Sequence, residues 1–150
     1  MRLSISTPLA ILVEADDVAY LRAEDETGAF GILSGHADFL TALAVSVVTW
    51  RDRHGIEHYA AVRGGMLEVR GGNTNVIATR EAVCSDDLHR LETKVLAAFR
   101  RAVEEDQAAR VDAQRLYLAA IRQICHYLRS ERVPAVPGGP ALKRPNRLNS

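Results

Sequence analysis

The chain has no excess of charge of either sign: 19 lysines and arginines are balanced by 19 aspartates and glutamates over 150 residues. A basic surface built for nucleic acid would unbalance that count, so nucleic acid is not expected as a main partner. Cysteine is nearly absent, and Cys84 and Cys125 alone make no disulfide framework, which fits a reducing compartment. No apolar run approaches the ~20 residues that span a bilayer, and the start lacks the basic and apolar regions of a secretory leader. The expectation is a soluble protein without direct membrane insertion. Lysine is missing from the first 84 residues, and Pro8 is the single proline before residue 131.

What is present divides the chain in three. Residues 1–84 carry 7 basic and 11 acidic side chains, residues 85–130 carry 8 and 7, and residues 131–150 carry 4 and 1 together with four of the five prolines. The last stretch, ERVPAVPGGPALKRPNRLNS, can neither continue a helix nor bury a core, and it reads as a disordered basic tail. The first stretch reads as β. RLSIS alternates Leu3 and Ile5 with polar neighbours, and VSVVTW is rich in β-branched residues. EHYAAVRGGMLEVRGGNTNVIATR reads as three short strands separated by hairpin turns at Gly64-Gly65 and at Gly71-Gly72-Asn73. Short strands with no helical pattern between them predict an antiparallel sandwich or barrel.

After Cys84 the period changes. Ser85 is a good N-cap, and Asp86 and Asp87 place negative charge where a helix start favours it. Leu88, Leu91, Val95, Phe99 and Ala102 follow at steps of three and four, and a second stripe runs through Ala113, Tyr117, Ala120, Ile121, Ile124 and Leu128. The polar run Glu104 to Gln107 between them reads as a break, which predicts an antiparallel hairpin of two helices. The fold expected is therefore an N-terminal antiparallel β-sandwich over residues 1–84, a C-terminal α-helical hairpin over 85–130, and a disordered tail over 131–150. Such a hairpin is marginal alone and needs a surface to lie on.

Chemistry-bearing constellations are weak. His54 and His58 have the spacing of a helical metal pair, but Gly55 and the β pattern around them point to a turn with two surface histidines; no metal set emerges. Cys84 precedes a helix start, yet no base is identifiable beside it, and it reads as a buried structural thiol. Gly64-Gly65 and Gly71-Gly72 lack the Lys-Ser/Thr of a phosphate loop. No nucleophile-base-acid set is evident. The segment GAFGILSGHADFLTAL, Gly28 to Leu43, stands out because it mixes three glycines and a histidine with Phe30, Ile32, Leu33, Phe39 and Leu40. Neither a core strand nor a solvated loop uses that mixture, so the segment must cover something or be covered.

These residues add up to a resemblance. Thr7-Pro8, GAFGILSGHADFLTAL, VRGGMLEV from Val62 to Val69 and NVIATREAV from Asn75 to Val83 resemble the epsilon subunit of the rotary ATP synthase. Two prolines of that family's central pattern are replaced here by Ser34 and Asp38, and HADFLTAL with TREAVCSDDLHRLE is closer to the alternate, sodium-type branch. The resemblance implies a non-catalytic rotor subunit of the central stalk, with no cofactor of its own. It implies that the sandwich binds the gamma subunit and the ring of c subunits, and that ion-driven rotation passes through it to ATP synthesis. It also implies a position at the cytoplasmic face of the bacterial inner membrane. By position, Ala29, Ser34, His36 and Asp38 are the candidates for ring contact. The C-terminal hairpin of such proteins can reach the alpha and beta subunits of the catalytic head and inhibit hydrolysis. Some members bind ATP as a regulatory ligand through a motif whose Asp and Arg correspond to Asp87 and Arg90, a spacing that a local helix interaction explains equally well. Without the resemblance, the alternative is a small sugar- or nucleotide-binding β domain with a dimerising helical hairpin.

Overall fold

The computed structural model describes residues 1–130; the expected tail, 131–150, lies outside them. Eight strands are followed by helix: β1 Arg2–Ser6, β2 Ile11–Ala15, β3 Val18–Asp25, β4 Gly28–Leu33, β5 Phe39–Asp52, β6 Glu57–Arg70, β7 Thr74–Ala78 and β8 Ala82–Ser85. The hydrogen-bonded order is β2-β1-β7-β6-β5-β3-β4, with β8 on β6. The expected β domain is present, with one departure from a purely antiparallel sheet: β1 pairs with β7 in parallel.

The sandwich is made by two long strands that serve both layers. On one edge of β6, residues 66–70 pair with β7 and residues 59–62 with β8, while its other edge follows β5 throughout. The inward-facing parity switches along the way. Ala60 and Val62 point into the core, then Leu67 and Val69; on β5 the core residues are Leu43, then Val48 and Trp50. An even-to-odd switch needs an irregular residue, because side chains alternate strictly in a strand. Gly64 and Gly65 supply it, with φ of 69° and 120°. The expected hairpin turn at Gly64-Gly65 is therefore a kink inside one strand. A side chain at Gly65 would put its Cβ 2.2 Å from the carbonyl oxygen of Ala78, so the backbones of β6 and β7 approach too closely for anything but glycine. Gly71-Gly72-Asn73 is a turn, as expected. Leu3, Ile5 and Ile77 from one layer and Leu21, Ile32 and Val48 from the other share a single apolar core.

The helical part departs from expectation. Ser85 still belongs to β8, and Asp87 is the N-cap: its Oδ1 accepts from the Arg90 N–H at 3.0 Å. Helix α1 Leu88–Arg90 passes into a π-helical turn, Leu91–Val95, and then into α2, Leu96–Ser130, without interruption. The hairpin break at Glu104 to Gln107 does not occur. Glu and Gln are good helix formers and the run holds neither Gly nor Pro, so its polarity marks a change in what the helix faces rather than a turn. Leu91, Leu96 and Phe99 pack on Ala61, Val45, Val47 and Tyr59, the outer face of the β5–β6 layer. The extra residue of the π turn puts Leu91 and Leu96, five apart, on one face. The chain divides into two compact units, Met1–Ala108 and the part from Ala109 onward. In the second unit, the predicted stripe residues Ala113, Tyr117, Ala120, Ile121, Ile124 and Leu128 are all exposed.

Candidate functional site at the end of the sandwich

The unusual segment resolves into an anchored loop. Ile32 is fully buried, and Phe30 and Phe39 pack against the core and against each other edge-on, with ring centroids 5.6 Å apart. Between them the chain leaves β4, turns at Gly35 with φ of 85°, and re-enters at β5.

The loop is fastened to the Gly71–Asn73 turn by three hydrogen bonds. The Gly35 N–H donates to the Gly72 carbonyl at 2.8 Å, the Ser34 hydroxyl donates to Asn73 Oδ1 at 2.8 Å, and the Gly71 N–H donates to Asp38 Oδ1 at 2.7 Å. Each of these connects residues more than thirty apart in sequence, so loop and turn act as one surface. Gly72 is required for the contact: a Cβ there would come 2.9 Å from the Gly35 Cα, and φ is already 70°. His36 follows Gly35 in the loop and is half-buried. Its Nδ1 lies 2.8 Å from the Ala37 carbonyl, which assigns the proton to Nδ1, and its ring meets Phe39 edge-on at 5.9 Å. Leu33 and Leu40 flank the loop and are both exposed.

Ser34, His36 and Asp38 are thus brought together, while Ala29 is not with them. Ala29 lies at the opposite end of β4, next to the β3–β4 turn, where it borders a half-open polar groove with Arg22, Glu24, Glu92 and Arg100. Sequence reasoning missed Leu33, Leu40 and Asn73 as members of the surface. Asn73 gave only a turn signal, and its partnership with Ser34 is a long-range contact that no local pattern encodes. Asp87 caps the helix by accepting from the Arg90 backbone N–H, which gives Asp87 a structural use and makes no use of the Arg90 side chain.

The remaining motifs are structural. Asp52 accepts from the N–H groups of His54 and Ile56 at 2.8 and 3.0 Å, closing the turn expected there, and its Oδ2 lies 3.4 Å from His58 Nε2. The Ile56 N–H above all, with His58 and the His54 N–H, holds the Asp52 carboxyl below the usual carboxylate range. Cys84 is exposed on β8 rather than buried, because it sits on a short strand that flanks β6 for four residues; partial burial of its thiol pushes its pKa up, away from a reactive thiolate. Among the described residues, no cluster of His, Cys, Asp and Glu has the arrangement of a metal site, and no helix is long and apolar enough to cross a membrane.

Residues 1–83 match the family model described as ATP synthase, Delta/Epsilon chain, beta-sandwich domain. The chain belongs to the ATP synthase delta/epsilon family. This family member is 44% identical over 132 residues to ATP synthase epsilon chain 2 of Paraburkholderia xenovorans, covering 88% of this chain and 95% of the relative. It is 39% identical over 128 residues to ATP synthase epsilon chain 2 of Cereibacter sphaeroides, covering 85% and 88%. Among solved structures, a chain of the Euglena gracilis mitochondrial ATP synthase, seen in its OSCP/F1/c-ring assembly in rotational state 1, aligns with a TM-score of 0.53 at 23% identity. That alignment covers 71% of this chain and 62% of the Euglena chain, and it bears on the fold alone. The 132 residues matched to the Paraburkholderia chain are more than the 108 of the first compact unit, so the likeness takes in part of the second as well.

Proposed function

We propose that this chain is the epsilon-type rotor subunit of an ATP synthase central stalk, a non-catalytic part that couples rotation of a c-subunit ring to the catalytic head through the gamma subunit. The observation that carries this reading is the 44% identity to an epsilon chain along nearly the whole of both proteins. The two-layer sandwich supports it physically. A coupling element works by stiffness, and here two sheets share one core while the loop at one end is cross-tied to a neighbouring turn.

The proposed ring contact is the loop platform of Ser34, His36 and Asp38, with Leu33 and Leu40 as its apolar margins; Ala29, which borders the groove beside the helix, is the outlying member. In this reading the complex lies at the cytoplasmic face of a bacterial inner membrane and the subunit reaches it through partners. The helix is its regulatory arm, directed at gamma and the alpha and beta subunits of the head, with ATP at Asp87 and Arg90 as the ligand to test against the cap geometry. The sodium-type assignment rests on the loop sequence HADFLTAL and belongs to the same proposal. The ligand-binding alternative is not favoured, because the family match covers the β domain and the epsilon likeness continues beyond it.

His36→Ala is the clean test of the contact, since Asp38 also holds the loop together. Assembly of the membrane-bound complex is expected to weaken in His36→Ala while the subunit's melting temperature stays unchanged. Full assembly with unchanged ring retention would move the contact elsewhere on the sandwich.

A further inference from the structure

The docked part of the helix rests on little apolar surface: Leu91, Leu96 and Phe99 are buried, and beyond Phe99 no apolar side chain of the described helix is buried. Asp106 is nevertheless fixed, two turns further on. Its Oδ2 accepts from Arg63 Nη2 at 2.5 Å and from Arg80 Nη1 at 3.3 Å, while Arg63 Nη1 lies 3.7 Å from Glu81 Oε2. The order Arg80, Asp106, Arg63, Glu81 alternates in sign. Three of the four sit on β6 and the β7–β8 link, where Arg63 N–H also donates to the Glu81 carbonyl at 2.9 Å. Asp106 alone comes from the helix. The Arg63 side chain is 16% exposed, against 51–69% for Arg2, Arg51, Arg70 and Arg80, the other arginines paired with carboxylates among the described residues. An ion pair with a partly buried, charge-assisted member is stronger than a solvated surface pair. The position is set by the π turn, which re-phases the helix so that Leu96, Phe99 and Asp106 follow one another at steps of three and seven on the sheet-facing side. The compact unit that contains the sheet ends at Ala108, two residues past Asp106.

We propose that Asp106 with Arg63, flanked by Arg80 and Glu81, is an electrostatic clamp that sets where the docked helix ends, and that opening it frees residues 100–108 from the sheet while the sandwich stays folded. Glu81 makes the clamp reversible. When Asp106 leaves, Arg63 keeps Glu81 as an ion-pair partner at 3.7 Å and its charge is not left without a counter-charge, so the open state is not ruled out by desolvation. The same four charges give a use to the polar run Glu104 to Gln107, which neither apolar stripe needs. The proposal rests on the fold alone and stands or falls separately from the rotor reading.

Hydrogen exchange on the full chain tests it. Asp106→Asn is expected to speed exchange of the amides in residues 100–108 about tenfold, the scale of one charge-assisted hydrogen bond, while amides in β5 and β6 keep their rates. Asp106→Glu is expected to restore most of the protection, and Asp112→Asn, a charge loss on the exposed part of the helix, to change nothing. Rates at 100–108 within twofold of the parent in Asp106→Asn would overturn the clamp. So would equal acceleration in Asp112→Asn, which would make the effect a general one of helix charge, or equal acceleration in β6, which would make Asp106 part of the sandwich's own stability.

Discussion

Between Leu91 and Phe99 the C-terminal helix buries three large apolar side chains, whereas between Val111 and Leu128 the same helix buries none, although the second stretch holds five leucines and isoleucines. Both stretches have the 3.6-residue apolar period, and both are helical. The difference is what lies opposite. The first stripe meets Ala61, Val45 and Val47 on the outer sheet face; the second, with Leu116 at 73% exposure, is solvated in the isolated chain. A period therefore states that a face is suited to being covered, and it does not say by what. A continuous exposed apolar face of this kind is the mark of an interaction surface, which is the use the proposed rotor arm would give it.

The contrast can be broken from beneath, at the platform that the docked half needs. Gly65→Val forces a side chain onto the Ala78 carbonyl at φ 120°, and is expected to cost about 3 kcal/mol or more, read as a lower urea midpoint of the whole sandwich. It can be broken at the helix itself. Phe99→Ala, at a site 4% exposed, is expected to cost up to about 3–5 kcal/mol in helix docking, whereas Leu116→Ala is expected to fall within about 0.5 kcal/mol of the parent. Equal effects at the two sites in thermal unfolding would mean that the two halves are not distinct. A smaller effect is expected at the loop platform, where Gly72→Ala presses on Gly35 in a left-handed conformation and should cost about 1–3 kcal/mol by chemical unfolding, with the helix amides unaffected.

The smallest effect is one of pH and concerns the sandwich alone. Asp25 accepts from the Thr27 and Thr41 hydroxyls and the Thr27 N–H, led by the Thr27 hydroxyl, and its carboxyl lies below the usual range. A folded-state pKa below the unfolded value near ~3.9 favours the native state while the group is charged. That contribution is complete above the unfolded pKa and is lost as pH falls through the folded one. Stability of the sandwich should therefore drop more steeply below about pH 4 in the parent than in Asp25→Asn, as seen in acid titration of Trp50 fluorescence.

Much of this was legible from local pattern, and the failures share one cause. Leu3 and Ile5 announced β1 by alternation, the Gly71-Gly72 turn by its residue types, and the docked stripe from Leu88 to Ala102 by its period. The kink at Gly64-Gly65 reads locally like a turn, and only the approach of the Ala78 carbonyl shows why a strand needs it there. The polar run at Glu104 to Gln107 interrupts the apolar period although its residues favour helix, and the charges that face Asp106, Arg63 and Arg80, are 43 and 26 residues away. At the candidate site the anchoring residues Phe30, Ile32 and Phe39 were evident, but the fastening of Ser34 to Asn73 and Asp38 to Gly71 is non-local. The N-cap moved from Ser85 to Asp87 for the same reason: the pairing of Cys84 and Ser85 with β6 holds them in strand geometry.

The central claim is that the sandwich unit carries a rotor subunit's attachment and the exposed half of the helix does not. The most direct test is co-expression of the whole chain with the gamma subunit of its ATP synthase, followed by sizing chromatography, and the same experiment with residues 1–108, the compact unit that retains the docked helix. A stable 1:1 complex in both cases is the predicted result. No complex with the whole chain would contradict the rotor reading, and a complex lost only on truncation would place the attachment on the exposed helical stripe instead.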